Sequence, residues 1–530
     1  MSNVEPIAAR PSNSPLSRGA SDTVRNKILS LGDMARFAED ARARGQSVVL
    51  CHGTFDLLHM GHVRHLEQAR QLGDLLFVTI TADKFVNKGP DRPVFPAEIR
   101  SEMLAAMGYV DRVAVNDAPT AVNVIHAIKP DIYVKGSDYA QPSEDVTGFI
   151  VDERNAVEAH GGRIHFTYDI TFSSSSLLNR YFDVFEPELK SYLDNVRDRG
   201  VLSDLIGILD EIKDKKVLLV GETIIDEYQY VSPLGKSPKE NLIPTLYQSG
   251  ETFAGGVIAA ANHVAGFCRE VHVITCLGEQ DSEEKLIRST LSSNVSLTVV
   301  YKPAAPTTRK RRFVDADYFR KLFEVYFMDD APLIGAPDDA MVSAIEKYAP
   351  DYDVVIVTDF GHGMITPRAR GALEAKSRFL SVNAQSNSAN HGFNLITKYK
   401  RADYICIDAP EARLAVADPH IEIETIASER LPAAIDCGRI ILTHGRHGCV
   451  TYDKNVGVRR IPAFTRRVID TMGAGDAFLA ITSPIVSTGR DMELVGFIGN
   501  AVGAIKVGIV GHRASVDRVT LMKFLTTLLK

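Results

Sequence analysis

One stretch limits the fold of this chain more than any other: "SVVLCHGTFDLLHMGHVRHLEQARQLGDLLFVTIT", residues 47 to 81. Val48 to His52 is an apolar run with the character of a buried strand. Gly53 to Met60 reads as a turn and Gly61 to Leu72 as a helix. Gly73 stands where a helix C-cap glycine belongs, and Asp74 leads into a second apolar run, Leu75 to Thr81. Strand, helix and strand at this spacing form a βαβ unit. In open α/β sheets ligands bind beyond the carboxyl ends of the strands, where residues 53–60 lie.

The alternation continues along the chain, predicting an α/β protein with two doubly wound parallel-sheet domains. Residues 47–51, 75–81, 110–115, 131–135 and 163–168 read as strands of a domain spanning 26–182. Strands near 216–221, 271–277, 353–358, 404–408 and 439–443 belong to a larger one spanning 215–530. Between them, 183–214 is a helical linker in which Leu189, Tyr192, Leu193, Val196, Leu202, Leu205, Ile206 and Leu209 recur at three and four. That apolar stripe packs on a neighbouring domain or on a second copy.

Composition narrows the class. The 530 residues carry 60 basic and 67 acidic side chains, a net charge of −7, so no positive excess points to nucleic acid. Six cysteines lie scattered without a CxxC pair, as expected of buried thiols in a reducing, cytoplasmic setting. No apolar stretch reaches the ~18 residues of a membrane span. The Pro- and Ser-rich opening lacks a secretory core, and 1–25 is expected to be a disordered tail.

His59 and His62 fall on one face of the first helical turn. Beside exposed helix amides, two imidazole donors suit a phosphate whose charge grows during attack. The plainer alternative is a pair of surface histidines. Gly53, Phe55, Asp56, His59, Gly61 and His62 together resemble the G-x-F-D-x-x-H-x-G-H signature of cytidylyltransferase-like nucleotidyltransferases. The resemblance continues through "NKGPDRPVFPAEIRSEMLAAMGYVDRV" and "PDIYVKGSDYA" to "FSSSSLLNR". It implies joining of a nucleoside triphosphate, ATP or CTP, to a phosphorylated alcohol or sugar, with release of pyrophosphate. His59 and His62 would stabilise the α-phosphate, and Lys88 would neutralise acceptor or nucleotide phosphates. Gly53, Thr54 and Phe55 would line the nucleotide, Asp138 the base and ribose, and Ser173, Ser174 and Ser175 the β- and γ-phosphates. The segment is most similar to the nucleotidyltransferase module of bacterial bifunctional heptose enzymes, which make an ADP-activated heptose.

In the second half, "VIDTMGAGDAFLA" (468–480) sets Gly473-Ala474-Gly475 before an apolar helix, a phosphate-cradling arrangement without a Walker lysine. Asp476 is either a helix-start carboxylate or a base facing a substrate hydroxyl. The nonapeptide "DTMGAGDAF" resembles the D-T-x-G-A-G-D-x-F signature of ribokinase-like (PfkB) sugar kinases. This implies transfer of the ATP γ-phosphoryl group to a sugar hydroxyl with Mg²⁺, Asp476 accepting the proton. The resemblance implies that Asp226, Gly255 and Gly256 hold the sugar, and that Thr443, Gly445 and Gly448 of "THGRHG" form the nucleotide loop. In "PTTRKRRFV", Lys310 and Arg312 share one strand face; they suit a substrate phosphate, or form a solvated edge. Homodimers are frequent in this family.

Departures are visible too. "GGVIAAA" puts Ala259 where heptose kinases carry a substrate-binding Asn. Asp408-Ala409-Pro410-Glu411 replaces N-x-x-E near the metal, keeping Glu411 and adding Asp408. "VNAQSN" places Asn383 where an Asp of a D-P-K-G segment stands, and the kinase follows the nucleotidyltransferase instead of preceding it. The expected function is sugar phosphorylation followed by nucleotidyl transfer, giving an ADP-heptose-like sugar. The alternatives are an active nucleotidyltransferase on a degenerate, sugar-binding kinase, or a non-catalytic ligand sensor.

Overall fold

A computed structural model describes residues 22–86, 92–136, 149–167, 185–465 and 467–529. The chain divides after Val184 into two compact units. Residues 1–21 of the expected tail lie outside the described residues, whereas Asp22–Arg25 form one helical turn. Among the described residues no helix is long and apolar enough to cross a membrane.

The first unit is a five-stranded parallel sheet of order β3-β2-β1-β4-β5. Its strands are β1 (Val48–Gly53), β2 (Leu75–Thr81), β3 (Arg112–Asn116), β4 (Ile132–Gly136) and β5 (Arg163–Thr167). The helices are α1 (Leu31–Ala43), α2 (Met60–Arg70), α3 (Ala97–Ala105), α4 (Val122–Ile128) and α5 (Phe149–Glu158). The alternation inside β1 shows why both faces must be covered. Val48 and Leu50 enter one apolar cluster with Met34 and Phe77, while Val49 and Cys51 enter another with Leu66 and Val78. Strand order reverses at β1, so its carboxyl end is the crevice where a ligand fits.

One local reading needs correction. Gly73 is not a left-handed C-cap, since the α2 cap is Gln71 and Gly73 has no positive φ. A Cβ there would lie 2.7 Å from Val49 Cγ2 and 2.9 Å from Ser47 Oγ. Close helix–strand packing, not a turn, requires the glycine.

The second unit opens with α6 (Pro187–Asp198) and α7 (Leu202–Glu211), the stretch expected to be a linker. Leu193, Val196, Leu205, Ile208 and Leu209 are buried. Both helices lie on the unit's last helix, α14 (Arg518–Leu529). Arg197 donates to the Leu528 carbonyl at 2.6 Å and Arg518 to that of Leu209 at 2.6 Å.

A nine-stranded sheet follows, with β10 (Val295–Pro306) and β9 (Glu270–Gln280) at one side and β17 (Cys449–Asp453) and β18 (Gly457–Ile461) at the other, in the order β10-β9-β6-β13-β14-β15-β16-β17-β18. It is parallel from β10 to β16 and antiparallel over the last three strands. The central strands are β6 (Lys216–Gly221), β13 (Val354–Asp359), β14 (Leu380–Ala384), β15 (Tyr404–Asp408) and β16 (Arg439–Thr443). Sequence inspection leaves out the second sheet almost entirely. β7 (Thr223–Pro233), β8 (Thr245–Gly256), β11 (Arg309–Asp315) and β12 (Lys321–Phe327) form it in the order β12-β11-β7-β8. Its edge strand β12 is exposed although it carries Leu322, Phe323, Val325 and Phe327, and the buried face of β11 consists of Lys310, Arg312 and Val314. Three further helices frame the site described below: α8 (Val257–Ala265), α11 (Ala409–Ala415) and α12 (Ala474–Val486). Two more, α9 (Ala336–Tyr348) and α10 (Pro367–Lys376), pack on the sheet, and α13 (Met492–Lys506) precedes α14.

Candidate functional sites

In the first unit the site grows from the carboxyl end of β1. Phe55 adopts φ +50 and folds back over Gly53, where a Cβ would stand 3.1 Å from its ring. Asp56 is buried, paired with Arg92 at 3.1 Å and accepting the Val94 amide at 2.6 Å. The motif aspartate therefore ties the turn to residues 92–94. Arg100, wholly buried, does the same for the strand ends. It donates to the carbonyls of Thr54 (2.6 Å), Thr81 (2.9 Å) and Phe95 (2.9 Å) and pairs with Asp83.

His59 is the N-cap of α2: its Nδ1 accepts the Gly61 amide at 3.2 Å, which leaves Nε2 carrying the proton. The His59 and His62 ring centroids are 4.0 Å apart, tilted by 31°, and Phe55 packs on His62 at 5.2 Å. A histidine can start this helix because it serves as an acceptor toward the helix and a donor away from it. Behind the pair, burial and the Lys135 ammonium push His52 down to about 3 and His65 to about 4, so both stay neutral. Lys135, paired with Glu153 at 3.0 Å, is a cation that the motif does not reveal. Lys88, Asp138, Ser173, Ser174 and Ser175 lie outside the described residues.

In the second unit Asp226 on β7 is the hub. It pairs with Arg312 and lies 3.3 Å from His512 Nε2. A Cβ on Gly255 would fall 2.1 Å from its Oδ2, so only glycine fits the facing strand. Burial pushes the Asp226 carboxyl up, but His512 and Arg312 outweigh it and hold it below the usual range. Gly256, φ +60, then caps α8, which carries the buried Ala259 in its first turn.

Gly473, φ +68, opens α12 with Ala474, Gly475 and Asp476 in the first turn. Burial and the Asp226 charge raise Asp476 to about 6, against the pull of His512, Lys506 and Lys310. Asp226, His512 and Asp476 thus share one chamber, with His512 packed on Gly473: a Cβ there would meet its Cε1 at 2.7 Å. Two further residues fix the turn, the motif's opening Asp470 and the distant Lys506. Asp470 accepts from Tyr228 (2.7 Å), the Gly511 amide (2.8 Å) and Lys321 (2.8 Å). The fully buried Lys506 donates to the carbonyls of Met472 and Gly511, each at 2.7 Å. Neither Lys506 nor His512 carries a sequence signal by itself, whereas Asp470 opens the motif.

Thr443 ends β16 in register with Asp408 of β15, and the following turn brings the His444 amide 2.7 Å from the Gly448 carbonyl. The Gly445 conformation, φ +52, faces open space. Asp408 and Glu411 form a capping box on α11: the Glu411 amide meets Asp408 at 2.8 Å and the Asp408 amide meets Glu411 at 3.1 Å. Burial, with the Asp408 charge, lifts Glu411 to about 8, and Asp476 adds to the shift, so this carboxylate faces the same chamber. Among the described residues no group of three or more His, Cys, Asp or Glu could hold a metal alone. The oxygens present nevertheless fit a hard cation that also takes ligands from phosphate, because the buried Asn383 Oδ1 lacks any partner.

Lys310 and Arg312 both point inward, buried. Arg312 is committed to Asp226 and, at 3.1 Å, to Glu324. Among the described residues no ion pair reaches Lys310; its Nζ lies 5.0 Å over the Tyr326 ring.

Two parallel-sheet units, one with a paired-histidine helix start and one with a glycine-opened helix over a buried aspartate, define a chain built for chemistry on phosphates. Residues 50–178 match the cytidylyltransferase-like family and residues 214–518 the pfkB family of carbohydrate kinases. The chain belongs to the pfkB carbohydrate kinase family and carries a cytidylyltransferase-like domain ahead of the kinase domain. It is similar to the bifunctional protein HldE of Syntrophotalea carbinolica, 39% identical over 164 residues, 30% of this chain and 32% of that protein. The namesake in Nitrobacter hamburgensis is 28% identical over 317 residues, 58% of this chain and 63% of that protein. The chain thus spans about a third of the first of these relatives and less than two thirds of the second. Among solved structures, Thermotoga maritima ribokinase (19% identity, TM-score 0.47) is covered over 99% of its chain by 59% of this one. Escherichia coli phosphofructokinase-2 (13%, 0.48) is covered over 100% by 60%.

Proposed function

We propose that the protein activates a sugar in two steps. The kinase unit phosphorylates a sugar phosphate at its anomeric hydroxyl with ATP. That step gives a sugar bisphosphate and ADP. Once hydrolysis by a separate phosphomonoesterase has released the original phosphate, the nucleotidyltransferase unit joins the resulting sugar 1-phosphate to a nucleotidyl group from ATP or CTP, giving pyrophosphate and an ADP-heptose-like product. The observation that carries the reading is Asp476, a carboxylate raised to about 6 at a glycine-opened helix start and faced by Asp226 and His512.

In the kinase step Asp476 accepts the hydroxyl proton as the sugar oxygen bonds to the γ-phosphorus and the β–γ bridging bond breaks, releasing ADP. The outward amides of the first α12 turn stabilise the charge on the moving group. Asp226, fixed by Arg312 and His512, orients sugar hydroxyls. A bound Mg²⁺ supplies charge neutralisation on the triphosphate; Glu411, Asp408 and the Asn383 carbonyl would hold it. In the second step an oxygen of the sugar 1-phosphate attacks the α-phosphorus and pyrophosphate leaves. The outward donors of His59 and His62 stabilise that centre, and the acceptor needs no protein base because it is already an anion.

Ala259, a methyl where a sugar-binding side chain would project, favours a second reading in which the kinase unit only binds its sugar. Mass spectrometry of products from heptose 7-phosphate, and separately heptose 1-phosphate, with Mg²⁺ and ATP or CTP decides. A heptose bisphosphate from the 7-phosphate that vanishes in Asp476→Asn, together with a nucleotide sugar from the 1-phosphate that vanishes in His62→Ala, supports the two-step route. A nucleotide sugar from the 1-phosphate with no bisphosphate from the 7-phosphate moves the reading to a binding-only kinase unit, and no product from either refutes both.

A further inference from the structure

His512 lies in the connection between α13 and α14, and its side chain is 8% exposed. Its surroundings fix the ring. Nε2 lies 3.3 Å from Asp226 Oδ2, a Cβ on Gly255 would fall 3.0 Å from the same nitrogen, and the Phe253 ring stands nearly edge-on at 6.5 Å. Asp226, held below the usual carboxylate range although burial opposes it, can only accept, so Nε2 carries the proton of this contact. The other ring nitrogen, Nδ1, is buried and has no hydrogen-bond partner among the described residues.

The two edges of this ring face different parts of the chamber. The Nε2 edge meets Asp226 and Gly255, where the sugar would lie. The opposite edge leans on the start of α12: a Cβ on Gly473 would stand 2.7 Å from Cε1 and 3.4 Å from Nδ1, against 3.7 Å from Nε2. Gly473 opens the turn whose amides point out of the helix end. A buried ring nitrogen without a partner is costly unless a ligand completes it. In a sugar kinase the group that passes this edge is the γ-phosphoryl group, on its way from ADP to the sugar oxygen. An imidazole set between a carboxylate and a phosphoryl anion takes a second proton from solvent, because both neighbours stabilise the charged ring. Both nitrogens then donate, Nε2 to Asp226 and Nδ1 to a phosphoryl oxygen. Two neighbouring cations are committed elsewhere, Lys506 to two carbonyls and Arg312 to two carboxylates.

We infer that His512 is a catalytic residue of the kinase unit, whose Nδ1–H donates to the phosphoryl group in transfer while its Nε2–H holds Asp226 to the sugar. The inference rests on the sugar-kinase reading and adds to it a side chain that touches the reacting atoms. The ring keeps both protons throughout. Asp476 takes the hydroxyl proton as the sugar oxygen bonds to phosphorus and the β–γ bridging bond breaks. One imidazole thus ties the position of the sugar to the stabilisation of the charge that moves toward it.

Two variants of the full chain separate the two edges. His512→Gln can reach Asp226 with its amide N–H but has nothing at Nδ1, whereas His512→Asn places an N–H near Nδ1 and falls short of Asp226. The first measurement is formation of heptose bisphosphate from heptose 7-phosphate, ATP and Mg²⁺, at saturating and at limiting sugar. His512→Gln is expected to lower kcat by roughly 10²-fold, as for a lost oxyanion donor, with the sugar KM within about threefold of the parent's. His512→Asn should keep more of kcat and raise KM. The second measurement needs no turnover: calorimetry of ADP, Mg²⁺ and heptose 7-phosphate with and without aluminium fluoride, which mimics the phosphoryl group in transfer. His512→Gln should weaken the aluminium fluoride complex about tenfold or more, as for a lost hydrogen bond to a charged group. His512→Asn should retain part of that affinity. A His512→Gln protein that keeps both kcat and the aluminium fluoride complex overturns the inference, since the ring would then serve Asp226 alone. Equal losses in the two variants overturn it as well, as does a parent protein that binds ADP no more tightly with aluminium fluoride. If the parent forms no bisphosphate, the sugar-kinase reading fails, and the calorimetry still decides the role of His512.

Discussion

Asp476 should store instability that its neutral analogue releases. Its carboxyl is raised from 3.8 to about 6 in the folded protein, so the native state holds the proton more tightly than the unfolded chain. Stability from this group is fully present below the unfolded value and declines as pH climbs from about 4 to about 6. Above that the loss is constant, and a shift of this size corresponds to roughly 3 kcal/mol at about 1.4 kcal/mol per unit. Asp476→Asn removes the charge and keeps the shape. It is expected to stabilise the kinase unit at pH 8 by up to roughly 3 kcal/mol, by roughly half that at pH 5, and hardly at all near pH 3. The same substitution should lower phosphoryl transfer by roughly 10²–10⁴-fold. Denaturant unfolding of parent and variant at several pH values measures the difference. A variant that is no more stable at pH 8, or equally stabilised at pH 8 and pH 4, would refute the reasoning, since the carboxylate would then not be an ionised group held against burial.

Three other outcomes are open to direct measurement. The kinase kcat/KM should rise with pH through about 6 and then level, and His512→Gln should move that limb to higher pH because His512 stabilises the Asp476 charge. Arg100→Met should cost the first unit roughly 3–5 kcal/mol in denaturant unfolding, because Asp83 and the strand-end carbonyls lose a buried cation, and nucleotidyl transfer should fall with it. Lys506→Met strands the Met472 and Gly511 carbonyls at roughly 1–3 kcal/mol each; product assays should show phosphorylation lost and nucleotidyl transfer from sugar 1-phosphate retained.

The two large sheets are legible in the sequence because their strands are buried on both sides and read as plain apolar runs, as Val48–Cys51 and Val354–Val357 do. The four-stranded sheet is not. Lys321–Phe327 is an apolar-rich run that nevertheless lies largely exposed, and Lys310 and Arg312 enter the interior as charged groups, so the buried-strand pattern of apolar residues facing inward does not hold here. Motifs locate His59, His62, Asp226 and Asp476 because their chemistry is tied to fixed local spacing. His512 and Lys506 act from further along the chain, where only the fold brings them to the site. Gly73 shows the opposite limit: its local context fits a helix cap, whereas Val49 and Ser47 on β1 explain the missing side chain. Asp408 and Glu411 combine both lessons, since the box that caps α11 also turns a carboxylate toward Asp476.

The placement of α6 and α7 bears on how such an enzyme can be divided. The pfkB match begins at residue 214, after both helices, yet their apolar stripe lies on α14 at the far end of the same unit. A dissection at residue 214 would strip Leu521, Leu525 and Leu528 of part of their cover, and the isolated piece would aggregate for reasons unrelated to catalysis. The separable block begins near Phe185. Any exchange or rearrangement of the two activities has to carry those thirty residues with the kinase.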